Sequence, residues 1–227
     1  MIMTTNFEEE INQDFTKHVI VFEGDQIWHS SPSSGVSRIF LERNNLGEFA
    51  TATSIVKFEA GSRFSSHIHE NGEELFVLEG VFSDEFGDYP VGSYVRNPNG
   101  SIHNPFSEHG CKIFVKLRQF QFDDHKRVVK SINDNTWSKY TENCKIMNLH
   151  EHNDEYVYLL KCNDCVEFRL PSLRQRLQEI LIFSGSVVDG ANEYTANTWI
   201  RNQGLCLTNP SIKNQPVLIY VKCSNHI

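Results

Sequence analysis

His67 and His69 stand one residue apart, Glu73 follows, and His103 closes a separate segment, NPNGSIH, further along the chain. In a strand the two-residue side-chain period puts His67 and His69 on one face. Neutral imidazoles ligate Zn, Fe, Ni or Mn, and one carboxylate adds an anionic oxygen that lowers the cost of holding a dication. Three His and one Glu therefore read as a first shell for one divalent transition metal. Glu74 is the alternative acid, but along a strand it points away from the face that Glu73 takes. Glu70 reads as a turn residue.

Short apolar runs with turn signals between them must carry these residues. They include SRIFL, ATATSIVKF, LFVLEG, SYVRN and KIFVKL, then VYLL, EILIFSG, TWIRN and VLIYVK. Such spacing predicts an all-β chain built as a barrel or sandwich, and sixteen Phe and seven Tyr fit strands. Acids outnumber bases 29 to 21 for a net charge of −8. With no basic cluster, nucleic acid is not an expected partner. No stretch of eighteen apolar residues marks a membrane span, and MIMTTNFEEEINQDF lacks the basic start and apolar segment of a signal peptide, so the expected location is the cytoplasm. Six dispersed cysteines fit a reducing compartment. Cys162 and Cys165 form a CxxC after YVYLL, without the second pair or the helix start that zinc or redox chemistry would need.

The chain also repeats itself. ELFVLEGVFSDEFGDYPVGSYVRN (74–97) lies over EILIFSGSVVDGANEYTANTWIRN (179–202) without a gap, at a constant offset of 105 residues. Gly80 meets Gly185, Asp84 meets Asp189, Tyr89 meets Tyr194 and Arg96 meets Arg201. Two copies of one β domain are expected, 1–122 and 123–227. At the same offset the four ligand positions become Ser172, Arg174, Gln178 and Thr208, which cannot rebuild the site. The second domain is thus expected to be metal-free, with residues kept in both copies serving the fold and residues of the first copy alone carrying the chemistry.

The spacing around the ligands is fuller than an HxH. Gly61, five residues, His67-x-His69, three residues, Glu73, six residues and Gly80 form one pattern; Gly92, five residues, Pro98-x-Gly100, two residues and His103 form another. These resemble the two motifs of the cupin superfamily, with Ser107 where the second motif usually ends in Asn. More narrowly, HIHENGEELFVLEG and the stretch that follows it through GCKIFVKL look like the ChrR-type cupin, the sensor half of a bacterial anti-sigma factor. The resemblance implies a small conical, jelly-roll β-barrel with metal held by His67, His69, Glu73 and His103, and the repeat makes the expected fold two such barrels in tandem. It also implies two kinds of relative: sensor domains fused to a zinc-dependent, sigma-binding helical domain, and stand-alone cupins similar to acetylacetone-cleaving dioxygenases.

Two functions follow as expectations. One is a metal-dependent small-molecule enzyme of dioxygenase type, with Fe(II) or Zn(II) and no general base visible beyond Glu73 or Glu74. The other is a metal-dependent sensor; the few residues before the first strand contain no Cys and supply no sigma-binding domain, so a sigma factor is not an expected partner. Relatives pair edge strands between subunits, which leaves a homodimer open. Leu75 and Val77 are expected on the cavity floor, and Phe58, Phe64, Tyr94 and Phe114 are candidates for its walls. HEHNDE (150–155), a second HxH beside acids, reads as a solvated hairpin tip.

Overall fold

A computed structural model describes residues 10–164, 176–204, 207 and 210–225. The chain folds as two compact units: Ile27–Ile132 with the described residues up to Gln13, and Asp14–Gln26 with Asn133–Ile227. Regular structure in both is β, with two short 3₁₀ turns and no α-helix among the described residues.

In the first unit the main sheet runs, neighbour to neighbour, through Val128–Ser131, Ser93–Asn97, Glu73–Asp84, Cys111–Leu117, Ala52–Phe58, Val36–Arg43 and His29–Ser30. Its ladder does not close on itself among the described residues. Alternation sorts the faces. Cross-strand rows Phe58–Cys111, Val56–Ile113–Val77 and Ser54–Val115–Leu75 carry one face, and most of these residues join Val36, Phe82, Tyr89 and Val95 in a single buried cluster. Each such apolar side chain contributes about 1.5–3 kcal/mol when removed from water, so this face fixes the strand register firmly. Rows Ile55–Phe114–Phe76 and Phe76–Tyr94 lie on the opposite face.

Two smaller features position the ligands. His67–Ile68 and Ile102–His103 form their own antiparallel ribbon, in which His67 sits opposite His103. The strand Glu73–Asp84 is long and sharply bent. Gly80 adopts φ 68°, and a Cβ there would meet the Gly110 carbonyl oxygen at 2.1 Å, so only glycine fits. Beyond Gly80 the strand leaves the main ladder to pair with Gly87–Pro90 and Phe106.

The second unit orders Val19–Val21, Trp199–Gln203, Leu177–Asp189, Ser211–Ser224, Glu155–Cys162, Cys144–His152 and Ser138–Lys139, with Asn192–Thr195 attached to Leu177–Asp189. Pairings recur at the 105-residue offset: Glu74–Arg96 returns as Glu179–Arg201 and Phe82–Tyr89 as Val187–Tyr194. Gly185 repeats the bend at φ 79°.

Two expectations change here. Cys144 and Cys162 face each other across neighbouring strands and form a disulfide, where the dispersed cysteines read as reduced thiols. A ladder register, not a sequence motif, brings them together across 18 residues. Cys165 lies outside the described residues. HEHNDE does turn at Asn153, φ 47°, but the ends of the turn are not solvated: His150 is buried, and Glu155 is buried against Lys222 at 3.0 Å.

Candidate metal centre

The ribbon and the start of the bent strand bring His67, His69, Glu73 and His103 together, with one donor atom from each lying within 4.8 Å of the others. His69, Glu73 and His103 are buried and His67 is half-buried at the cavity side. His69 Nε2 stands 3.1 Å from His103 Nε2, and Glu73 Oε2 stands 3.5 and 3.6 Å from those two nitrogens. Donors held about 2.1 Å from one ion are separated by about 3.0 Å at right angles and about 3.4 Å at the tetrahedral angle. The observed spacing is that of donors sharing a first shell.

Hydrogen bonds on the far side of each ring settle which nitrogen faces inward. His67 Nδ1 meets the Ser65 carbonyl at 3.0 Å, which can only accept, so this nitrogen carries the proton. His69 Nδ1 meets Ser101 Oγ at 2.9 Å, and Ser101 spends its own proton on the Pro98 carbonyl at 2.6 Å. His103 Nδ1 meets Asp84 Oδ2 at 3.2 Å. In its neutral form each of the three rings, with its proton on Nδ1, presents an Nε2 lone pair. Two such lone pairs 3.1 Å apart, beside a carboxylate, repel unless a cation or a proton lies between them. The residues fit a divalent metal.

Each donor also has an outer support of the kind that orients metal ligands. Asn97 Nδ2 donates to Glu73 Oε2 at 3.2 Å. Asp84 accepts from the Phe86 amide and the Tyr89 hydroxyl through its other oxygen, at 2.8 and 3.1 Å, and Arg127 Nη2 donates to the Tyr89 oxygen at 3.2 Å. Burial, the largest influence on His69, pulls its pKa down. Burial acts the same way on His103 but is outweighed by the Asp84 hydrogen bond and the Glu73 charge, which leave its pKa above the ordinary value.

The bend at Gly80 explains how one strand serves the site twice. Eleven steps of straight strand would set Glu73 and Asp84 about 36 Å apart, yet the two carboxylates approach opposite nitrogens of the same His103 ring.

Glu74 lies on the other face and pairs with Arg96, which is fully buried, also meets Asp124 and stacks on Phe120 at 3.7 Å. Glu70 is an exposed turn residue at the cavity rim. Ser107, in place of the usual motif Asn, donates to the Val81 carbonyl at 2.6 Å. In the second unit Gln178 is buried, while Ser172, Arg174 and Thr208 lie outside the described residues.

The donors open onto a cavity of about 580 Å³, a size suited to a small organic molecule. Phe58, Phe64 and Phe82 form an aromatic wall with centroid separations of 5.5 and 5.8 Å. Tyr94 and Phe114 face away from it, and Leu75 and Val77 pack in the cluster behind it rather than on its surface. Sequence reasoning missed Ser65, Asn97 and Ser101. It also set Asp84 and Tyr89 aside, because both recur in the second copy; the structure gives them to the fold and to the site together.

The family model for the ChrR cupin-like domain matches residues 16–121. Over those residues the chain is similar to the cupin superfamily. A stretch of 116 residues, 47% of this chain, is 28% identical to the acetylacetone-cleaving enzyme of Acinetobacter johnsonii and spans 66% of that enzyme's length. Similar solved structures include a protein described as a dioxygenase from Nostoc punctiforme, with TM-score 0.71 and 14% identity, covering 93% of this chain and 84% of that one. Another is the bacterial pirin YhhW of Escherichia coli in complex with nickel(II), with TM-score 0.66 and 12% identity, covering 92% of this chain and 99% of that one. An oxalate decarboxylase variant of Bacillus subtilis has TM-score 0.57 and 12% identity over 91% of this chain and 77% of its own.

Proposed function

We propose that this protein is a cupin and a mononuclear metal-dependent enzyme of dioxygenase type, acting on a small molecule bound in the cavity of its first unit. The ion is Fe(II) or Zn(II), held by His67, His69, Glu73 and His103. The observation that carries the reading is the convergence of three imidazole Nε2 atoms and one carboxylate on an open, largely apolar cavity. Similarity to an acetylacetone-cleaving enzyme points to a dicarbonyl substrate. When bound, the metal supplies Lewis acidity and open coordination positions. The chain's own residues then divide the work. Ser101, Asp84 and the Ser65 carbonyl hold the rings in register, Asn97 orients Glu73, and the aromatic wall excludes water from the bound molecule.

Recurrence of the Glu–Arg and aromatic–Tyr pairings at the 105-residue offset supports a further reading: the chain is a tandem bicupin whose second copy has kept the scaffold and lost the donors. A sensor role is the second reading, favoured by the ChrR cupin-like match. Elemental analysis of protein purified without a His-tag or chelator, followed by dioxygen uptake with added Fe(II) and acetylacetone, separates the two. Stoichiometric metal and uptake are expected. Metal without turnover across a broad dicarbonyl panel would overturn the enzyme reading and leave the sensor; absence of bound metal after loading with Fe, Zn, Ni or Mn would overturn both.

A further inference from the structure

Arg38 lines the same cavity as His67, His69 and Glu73. It sits on Val36–Arg43 opposite Val56, whose side chain also faces the cavity. Its guanidinium makes one hydrogen bond, from Nη2 to Ser31 Oγ at 3.0 Å. Its Nε is buried without a hydrogen-bond partner, and among the described residues no carboxylate pairs with it. That is unexpected in a chain with 29 acidic and 21 basic residues.

Arg96 shows how this fold treats a fully buried arginine: it is given two carboxylates, Glu74 and Asp124. Arg38 receives none. Desolvation, reinforced by Arg43, disfavours its charge and lowers its pKa. Arg118 adds further positive charge to the lining; it donates to the Ala50 carbonyl at 3.5 Å, and among the described residues its carboxylate partner is the exposed Glu70, at 3.9 Å. Much of the remaining wall is apolar: Val56, Phe58, Phe64, Phe82, Ile113 and Val115. Arg38 is half-buried, with its guanidinium carbon 5.8 Å from the Phe40 ring centroid; a partly desolvated cation with no ion-pair partner is costly, and a bound anion offsets that cost while making charge-assisted hydrogen bonds. A carboxylate matches the planar guanidinium fork better than any other small anion group.

We propose that the cavity takes a dicarbonyl compound that also bears a carboxylate, with Arg38 anchoring the carboxylate while the dicarbonyl end faces His67, His69, Glu73 and His103. This rests on the metal-centre reading for the dicarbonyl end only; the carboxylate anchor stands on Arg38 itself.

Calorimetric binding of a matched pair, 2,4-dioxopentanoate and acetylacetone, tests it. The two differ in a carboxylate for a methyl. The metal-loaded protein is expected to prefer the carboxylate probe by about 10- to 100-fold, the range of a charge-assisted hydrogen bond. Arg38→Met, which keeps the apolar stem, brings the ratio to within about threefold of unity. Arg38→Lys keeps part of the preference, and Arg38→Gln substitutes for the Met variant should that one fail to fold. The same titrations on chelator-treated protein separate the two readings. Weaker binding of both probes with the preference intact supports both. Equal affinity with and without metal sinks the metal-centre reading alone. A wild-type ratio below about threefold, or a preference that survives Arg38→Met and Arg38→Gln, overturns the anchor.

Discussion

Adjacent acids on one strand give the sharpest test of the site. Glu73 Oε2 lies 3.5 and 3.6 Å from the Nε2 atoms of His69 and His103, whereas Glu74 pairs with the fully buried Arg96 on the opposite face. Glu73→Gln keeps a carbonyl for Asn97 to donate to but removes the anionic donor. Losing an outer-shell partner of a metal ligand costs 10- to 100-fold in affinity, so loss of a direct donor is expected to weaken metal binding by more than about 100-fold, with little change in the stability of the metal-free protein. Glu74→Gln does the reverse. Breaking a buried ion pair costs about 3–5 kcal/mol, and because Arg96 keeps Asp124 the lower end applies, about 3 kcal/mol. For a chain of this size that lowers the melting temperature by about 6–12 °C, with metal affinity retained. Chelator-competition titration and thermal unfolding of the metal-free variants measure the two effects separately. A Glu74→Gln variant that loses metal while Glu73→Gln keeps it would place the ligand on the wrong strand face and refute the geometry.

Asp84→Ala removes the carboxylate behind His103 without touching a donor. A 10- to 100-fold weaker metal affinity is expected in the same competition titration, and wild-type affinity would deny Asp84 a part in the site. Burial raises the thiol of Cys111 to about 11 and that of Cys223 to about 12. At pH 8 the thiolate fraction is then roughly one in a thousand or less, so peptide mapping after iodoacetamide treatment should find both unlabelled in native protein and labelled only after unfolding. Fast native labelling of either at pH 8 would show that its strand opens to solvent.

The grouping of His67, His69, Glu73 and His103 was legible because it depends on spacing alone: the HxH and the motif intervals bring the four side chains together. The supports were not. Ser65 acts through its carbonyl, which no side-chain pattern reveals, and Asn97 and Ser101 look like ordinary turn-flanking residues. Asp84 was hidden by a reasonable rule that fails here, because a residue that recurs at the 105-residue offset can hold a hairpin and the His103 ring at once. The aromatic wall divided for a similar reason. Phe58 and Phe114 both sit in strands rich in apolar residues on each face, where composition gives no inward direction and the ladder register decides it. Cys144 and Cys162 likewise meet only because Glu155–Cys162 pairs back on Cys144–His152.

Recurrence of the scaffold without the donors bears on what metal does for stability. The second unit reaches the same Glu–Arg pairing and the same glycine bend with Gln178 where the first has Glu73. The first unit's own apolar cluster contains none of His67, His69, Glu73 and His103, and of them only Glu73, at the start of its strand, pairs in the main ladder, through its backbone. On the proposed metal-centre reading, metal is then a ligand of a folded domain rather than a condition for folding, unlike the small zinc modules that unfold without it. Its stabilisation is set by mass action, about 4 kcal/mol at a free concentration a thousandfold above the dissociation constant. Chelation is therefore expected to lower the melting temperature by about 8–16 °C while the far-ultraviolet circular dichroism of the β-sheet persists. Loss of that signal at room temperature on adding chelator would mean that the four donors hold the first unit together and that the ladder alone does not.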